Sequence, residues 1–131
     1  IPILRNGRAG EAEVIASMDP LGLLFGPDGL SIDMDGNLYA VIPMAGNAPY
    51  PMSPVVKIYP DTGNVEPVVP TVVGGFPPGF EIGTSLVFGG WYTGRKCLYV
   101  ANSGLAAFGL KGPMGAGVSK VGVGVKGIPL Q

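Results

Sequence analysis

Histidine is absent from the 131 residues, and Cys97 is the one cysteine. The first absence removes the commonest general base and metal ligand. The second rules out an intrachain disulfide and any zinc site of the His/Cys type. Charge is scarce too, with a net charge of −1 and 13% charged residues. Without clustered Lys and Arg there is no face to neutralise phosphates, so nucleic acid is not an expected partner. No apolar run approaches the roughly 20 residues of a membrane span. The opening Ile1-Pro2-Ile3-Leu4-Arg5 lacks the charged-then-apolar order of a signal peptide. It also lacks an initiator Met, as expected of a chain processed, trimmed or cut from something longer.

What the chain has in quantity is glycine (23), proline (14) and apolar residues (47%). The Gly and Pro punctuate runs of Val, Ile, Leu and Tyr, which predicts an all-β protein rich in turns. The stretch Gly26-Pro27-Asp28-Gly29-Leu30-Ser31-Ile32-Asp33-Met34-Asp35-Gly36-Asn37-Leu38-Tyr39-Ala40-Val41 sets the pattern. It reads as a turn, a short strand from Leu30 to Asp33, a tight Asp35-Gly36-Asn37 turn and a second strand from Leu38 to Met44. That second strand is apolar throughout and should be buried on both faces. Val55 to Tyr59 gives a third strand, Asp61-Thr62-Gly63-Asn64 a second tight turn, and Val65 to Val69 a fourth. Pro67 within the fourth marks an outer edge, where a missing N–H is tolerated. Upstream, residues 11–16 fit a helix turn or an outer strand, and a strand is expected because everything that follows is strand and turn.

The order then starts again. Leu86-Val87-Phe88 resembles Leu30-Ser31-Ile32, Cys97-Leu98-Tyr99-Val100-Ala101 resembles Asn37-Leu38-Tyr39-Ala40-Val41, and Val118-Ser119-Lys120-Val121 resembles Val55-Val56-Lys57-Ile58. A four-stranded antiparallel unit repeated in this way is the signature of β-propeller blades. The expected architecture is a partial β-propeller of about two to three four-stranded antiparallel blades. Residues 26–70 form one blade, 80–128 the next, and 1–25 the end of a preceding one. A small β-sandwich, also built from many short strands, is the alternative. Asp33, Asp35, Asp61 and Asn64 superficially suggest a calcium loop. They lack the length and the distal Glu of an EF-hand and are read as turn residues.

Three segments resemble the SMP-30/gluconolactonase family, also called regucalcin-like proteins. They are Gly26 to Tyr39, then Thr84-Ser85-Leu86-Val87-Phe88-Gly89-Gly90 with Cys97-Leu98-Tyr99-Val100-Ala101, and the ending Gly117 to Gly127 with its Gly-Val-Lys-Gly. No single segment is specific; the three in this order carry the resemblance. It implies the C-terminal part of a six-bladed propeller and metal-dependent hydrolysis of sugar lactones or related esters. It implies one divalent cation on the propeller axis, Ca2+ first, with Zn2+ or Mg2+ as alternatives. Asp28 matches the family's metal ligand and base. The family's other ligands, a Glu and an Asn, have no match here.

Thr84 and Ser85 hold the place in the second unit that Asp28 holds in the first, and are expected to line the same axis. The loops 44–54, 70–83 and 102–116 fall on that end, where loops on a rigid scaffold form binding sites. Tyr50, Phe76, Phe80 and Phe108 would supply apolar walls to a lactone or ester, and Glu81 lies in a loop on the same side. Two blades and part of a third leave apolar faces and strand edges open. Association is therefore expected, as a homo-oligomer or with a complementary propeller fragment. The alternative function is a non-catalytic interaction module that kept the blades and lost the metal site.

Overall fold

Hydrophobic alternation organises the chain into two antiparallel sheets. The computed structural model describes residues 1–17, 26–43, 53–71, 76–105, 109 and 115–128. The first sheet contains β1 (Leu30–Ile32), β2 (Leu38–Val41), β3 (Val55–Tyr59) and β4 (Asn64–Pro67), in that order. The second contains β5 (Gly83–Phe88), β6 (Cys97–Asn102) and β7 (Gly117–Gly122), also in order. No α-helix occurs among the described residues, so none there is long and apolar enough to cross a membrane.

β2 and β3 show why the first sheet is buried on both sides. Side chains alternate faces along a strand. Tyr39, Val41 and Val55 point toward Leu86, Phe88, Leu98 and Val100 of the second sheet and share one core with Phe80 and Val69. The intervening Ala40, Ile42, Val56 and Ile58 form a separate cluster on the opposite face, with Ala16, Leu38 and Val65 packed against it. Between the sheets the rings of Tyr39 and Phe88 meet edge to face, centroids 5.2 Å apart. That arrangement suits the aromatic quadrupole.

Several sequence expectations hold. Pro67 pairs with Val56 on β4, an edge strand of its sheet. The Asp35-Gly36-Asn37 and Asp61-Thr62-Gly63-Asn64 segments are turns between paired strands. Residues 11–16 are not a strand. Ala16 packs against the face of the first sheet, and a face offers no row of backbone groups to pair with. The second unit differs from four-stranded expectation as well, showing three paired strands among the described residues.

After β7 the chain turns back across both sheets instead of forming a described fourth strand. Val123 N–H donates to Lys96 O, Gly127 N–H to Arg95 O, and Ile128 N–H to Ile32 O. Met34 N–H donates to Lys126 O, and Asp33 bridges Gly127. This staple requires a glycine. A Cβ on Gly127 would sit 2.1 Å from Cγ of Phe88, inside the core. Gly127→Ala is expected to lower stability by about 1–3 kcal/mol, measured by urea denaturation. An unchanged midpoint would mean that Phe88 has room to move.

The staple lands beside a fully buried carboxylate, Asp33. Its Oδ1 accepts from the N–H groups of Asp35 and Asn37, each at 2.9 Å. Asn37 Nδ2 donates to both carboxylate oxygens, at 3.2 and 3.1 Å. Lys57 Nζ on β3 lies 3.5 Å from Oδ2. Burial alone would push Asp33 up. The bonds from the Asn37 side chain and from the Asn37 and Asp35 backbones, with the Lys57 charge, outweigh it and hold the carboxyl below its ordinary value. Asp33 thus titrates lower in the folded than in the unfolded chain. The stability it supplies is complete above the unfolded value of about 4 and is lost as pH falls through the folded one. Asp33→Asn is expected to cost about 1–3 kcal/mol at neutral pH and to flatten the acid limb of the stability curve. Parallel acid limbs for the two proteins would contradict this assignment.

Candidate functional site

The heads of β1 and β5 lie side by side at one end of the sheets. Asp28 precedes β1, and its N–H donates to Val41 O at 3.0 Å, while Val41 N–H donates back to Gly29 O at 3.1 Å. The residue is thus fixed to the end of β2, as a strand head should be. Gly29 permits the close approach of β5: a Cβ there would lie 2.7 Å from Ser85 Cα. Asp28 itself is exposed, and its carboxylate has no hydrogen-bond or ionic partner among the described residues.

Thr84 and Ser85 come to this place through a bulge. The β5–β6 register jumps between Gly83, opposite Asn102, and Ser85, opposite Ala101, leaving Thr84 as the extra residue. Such an insertion re-aims a side chain. Thr84 is half-buried and its Oγ1 reaches Ala101 O at 3.4 Å, whereas Ser85 is exposed. The structure therefore brings the start of β1, with Asp28, against Ser85 on β5. Tyr50 and Phe108 lie outside the described residues. Phe80 belongs to the core between the sheets and does not wall a binding face; Phe76 is half-buried.

A divalent ion finds few ligands here. Ca2+ takes roughly six to eight oxygens. No group of three or more Asp, Glu, His or Cys side chains able to hold a metal occurs among the described residues. Asp28 offers one free carboxylate, so these residues do not by themselves make a metal centre. Asp33, by contrast, is spent on its turn and on Lys57.

A cleft of about 250 Å³ opens elsewhere, between the outer strands, lined by Tyr39, Lys57, Glu66, Pro67, Val68, Gly122 and Val123. It includes none of Asp28, Thr84 or Ser85. Its charged groups are already engaged. Lys57 pairs with Asp33 and lies 4.8 Å from the centroid of the Tyr59 ring, and Glu66 accepts from the Tyr59 hydroxyl at 2.9 Å. Burial pulls Lys57 down, but the Tyr39 hydroxyl beside it, Tyr59 and Asp33 hold it above its ordinary value. The cleft is a seam between sheets whose polar atoms satisfy one another, and the strand heads are the better candidate.

One polar group given little weight in the sequence emerges here. Glu81, just before β5, is 1% exposed. Its sequence signal is its setting, between the core residues Phe80 and Ile82.

The chain matches no family model and no curated protein. Because Asp28 is exposed and bears no structural bond through its carboxylate, Asp28→Asn is expected to leave stability within about 0.5 kcal/mol of the original. A larger loss in thermal or urea denaturation would give Asp28 a structural role.

Proposed function

We propose that the chain is a partial β-propeller of the SMP-30/gluconolactonase type, and that the Asp28 end of its sheets serves hydrolysis of a sugar lactone or related ester. The observation that carries this reading is the free, exposed Asp28 carboxylate at the head of β1, with the head of β5 against it. In such a reaction water adds to the ester carbonyl carbon and passes its proton to the Asp28 carboxylate. The ring C–O bond then breaks, and the leaving oxygen takes a proton to become the hydroxyl of the hydroxy acid. A base placed in this way contributes about 100-fold or more. The exposed Ser85 hydroxyl is available to orient the substrate.

A divalent cation, with Ca2+ the first choice, would take Asp28 as one ligand. Its remaining oxygen ligands would come from a second copy of the chain or from a complementary propeller fragment. Exposed apolar side chains support association. Leu30 and Ile32 are 57% and 42% exposed, and they pair with Ala40 and Leu38, so they extend the apolar face of the first sheet. On the second sheet Val87 and Val118 are likewise exposed.

The other reading, a non-catalytic interaction module without the metal site, draws support from the lack of a three-acid cluster among the described residues. The two separate in one experiment. Solution mass is measured by light scattering with and without Ca2+, and hydrolysis of aldonolactones and an aryl ester is followed above the spontaneous rate. The lactonase reading expects an associated species whose rate falls at least about 100-fold in Asp28→Asn. Equal rates for the two proteins, with no calcium affinity, would establish the interaction module.

A further inference from the structure

Glu81 is the anomaly of the structure. Its side chain is 1% exposed, and neither Oε1 nor Oε2 has a hydrogen-bond partner among the described residues. Its backbone, in contrast, is fully used: the N–H donates to Asn102 Oδ1 at 3.3 Å and the C=O accepts from Gly104 N–H at 3.1 Å. The carboxylate is thus held in place while its own oxygens are left bare. Buried charges in proteins are paired or bound to metal ions, and the ion pair formed among the described residues, Lys57 with Asp33, lies on other elements.

The surroundings are specialised. Ile82, the next residue, has φ +52°, the one non-glycine residue with a positive φ among the described residues. A β-branched side chain avoids that conformation, and such outliers gather at ligand sites. The strained turn is pinned by Ser103, whose N–H and Oγ–H both donate to Ile82 O, at 3.0 and 3.1 Å. Buried Asn102 fixes it from the other side. Its Nδ2 donates to Gly79 O at 3.3 Å, to Val100 O at 3.2 Å and to Ser119 Oγ at 3.0 Å. These amide and hydroxyl groups hold the backbone around Glu81; none of them bonds to its carboxylate.

We propose that Glu81 is the anionic anchor of a buried site for a monovalent cation, an alkali ion or ammonium, beside the head of β5. Charge decides the class. No further acid joins Glu81 in a metal-binding group among the described residues. One carboxylate balances one positive charge, whereas a divalent ion would leave an unbalanced charge in a buried place. Hard oxygens suit alkali ions, and backbone carbonyls can replace the hydration shell of such an ion. The site is distinct from Asp28 and does not depend on the lactonase reading.

The test is thermal unfolding of the full chain in EDTA, which removes divalent ions from either site. Choline chloride, whose cation is much larger than the other three, is replaced by NaCl, KCl or NH4Cl at constant ionic strength. The melting temperature of the unmodified chain is expected to rise by about 3–6 °C with at least one small cation, at concentrations near tenfold its dissociation constant. Asp28→Asn should keep that rise, and Glu81→Gln should lose it. A rise with Na+ or K+ identifies an alkali site and a rise with NH4+ alone an ammonium site. Equal melting temperatures in choline and in all three small cations would overturn the proposal even if Glu81→Gln failed to fold. So would an undiminished rise in a folded Glu81→Gln.

Discussion

The contact between Asp33 and Lys57 joins parts of the chain that would otherwise be separate. The Asp33 carboxylate closes its own hairpin through the backbone of Asp35 and Asn37 and reaches across to β3 through Lys57. Its backbone meets Gly127, the residue that brings the chain back from the second sheet. One residue therefore closes a turn and pairs with Lys57 through its carboxylate, and meets the returning chain through its backbone. Removing the Asp33 charge leaves half-buried Lys57 without its ionic partner, in line with a loss of about 1–3 kcal/mol. Lys57 is itself held between the rings of Tyr39 and Tyr59, and Tyr39 in turn packs on Phe88. The polar node and the aromatic contact between the sheets are thus continuous.

Three carboxylates in this chain carry three different physical burdens. Asp33 is buried and saturated with donors, so its charge serves the fold. Asp28 is exposed and unbonded, so its charge is free for a ligand or a proton. Glu81 is buried with both oxygens unpartnered among the described residues, an arrangement that costs a folded chain unless a partner is supplied. Residue type does not separate these roles; the hydrogen bonds around each one do.

The fold was legible where the signal was local. The unbroken apolar run from Leu38 to Ile42 announces a strand covered on both faces, and Pro67 announces an edge; both hold. Asp35-Gly36-Asn37 names its own turn. Contacts distant in sequence left weaker traces. Gly127 looks like one glycine among many until Phe88 is seen beneath it. Residues 11–15 are exposed and of this stretch Ala16 alone packs against the sheet face, and nothing in their own sequence specifies where they dock. At the candidate site, the matching positions of Asp28 and of Thr84 and Ser85 at two strand heads were legible from the repeat, and the structure brings those heads together. The bulge that turns Thr84 was not legible, since it depends on the register between β5 and β6. Glu81 left only a weak trace, a loop position on the same side, although Phe80 and Ile82 on either side argue for burial.

The Pro27-Asp28-Gly29 turn combines two requirements that are easily mistaken for one. Asp28 supplies an exposed carboxylate that takes no part in packing. Gly29 supplies packing, because only a residue without Cβ lets the backbone of Ser85 and Leu86 come so near. The distance between Asp28 and β5 is therefore governed by the glycine and not by the acid. A side chain at position 29 would push the two strand heads apart while leaving Asp28 chemically intact. The geometry of the candidate site depends on backbone approach as much as on its carboxylate, so this short turn marks the joint between two sheets as well as the proposed site.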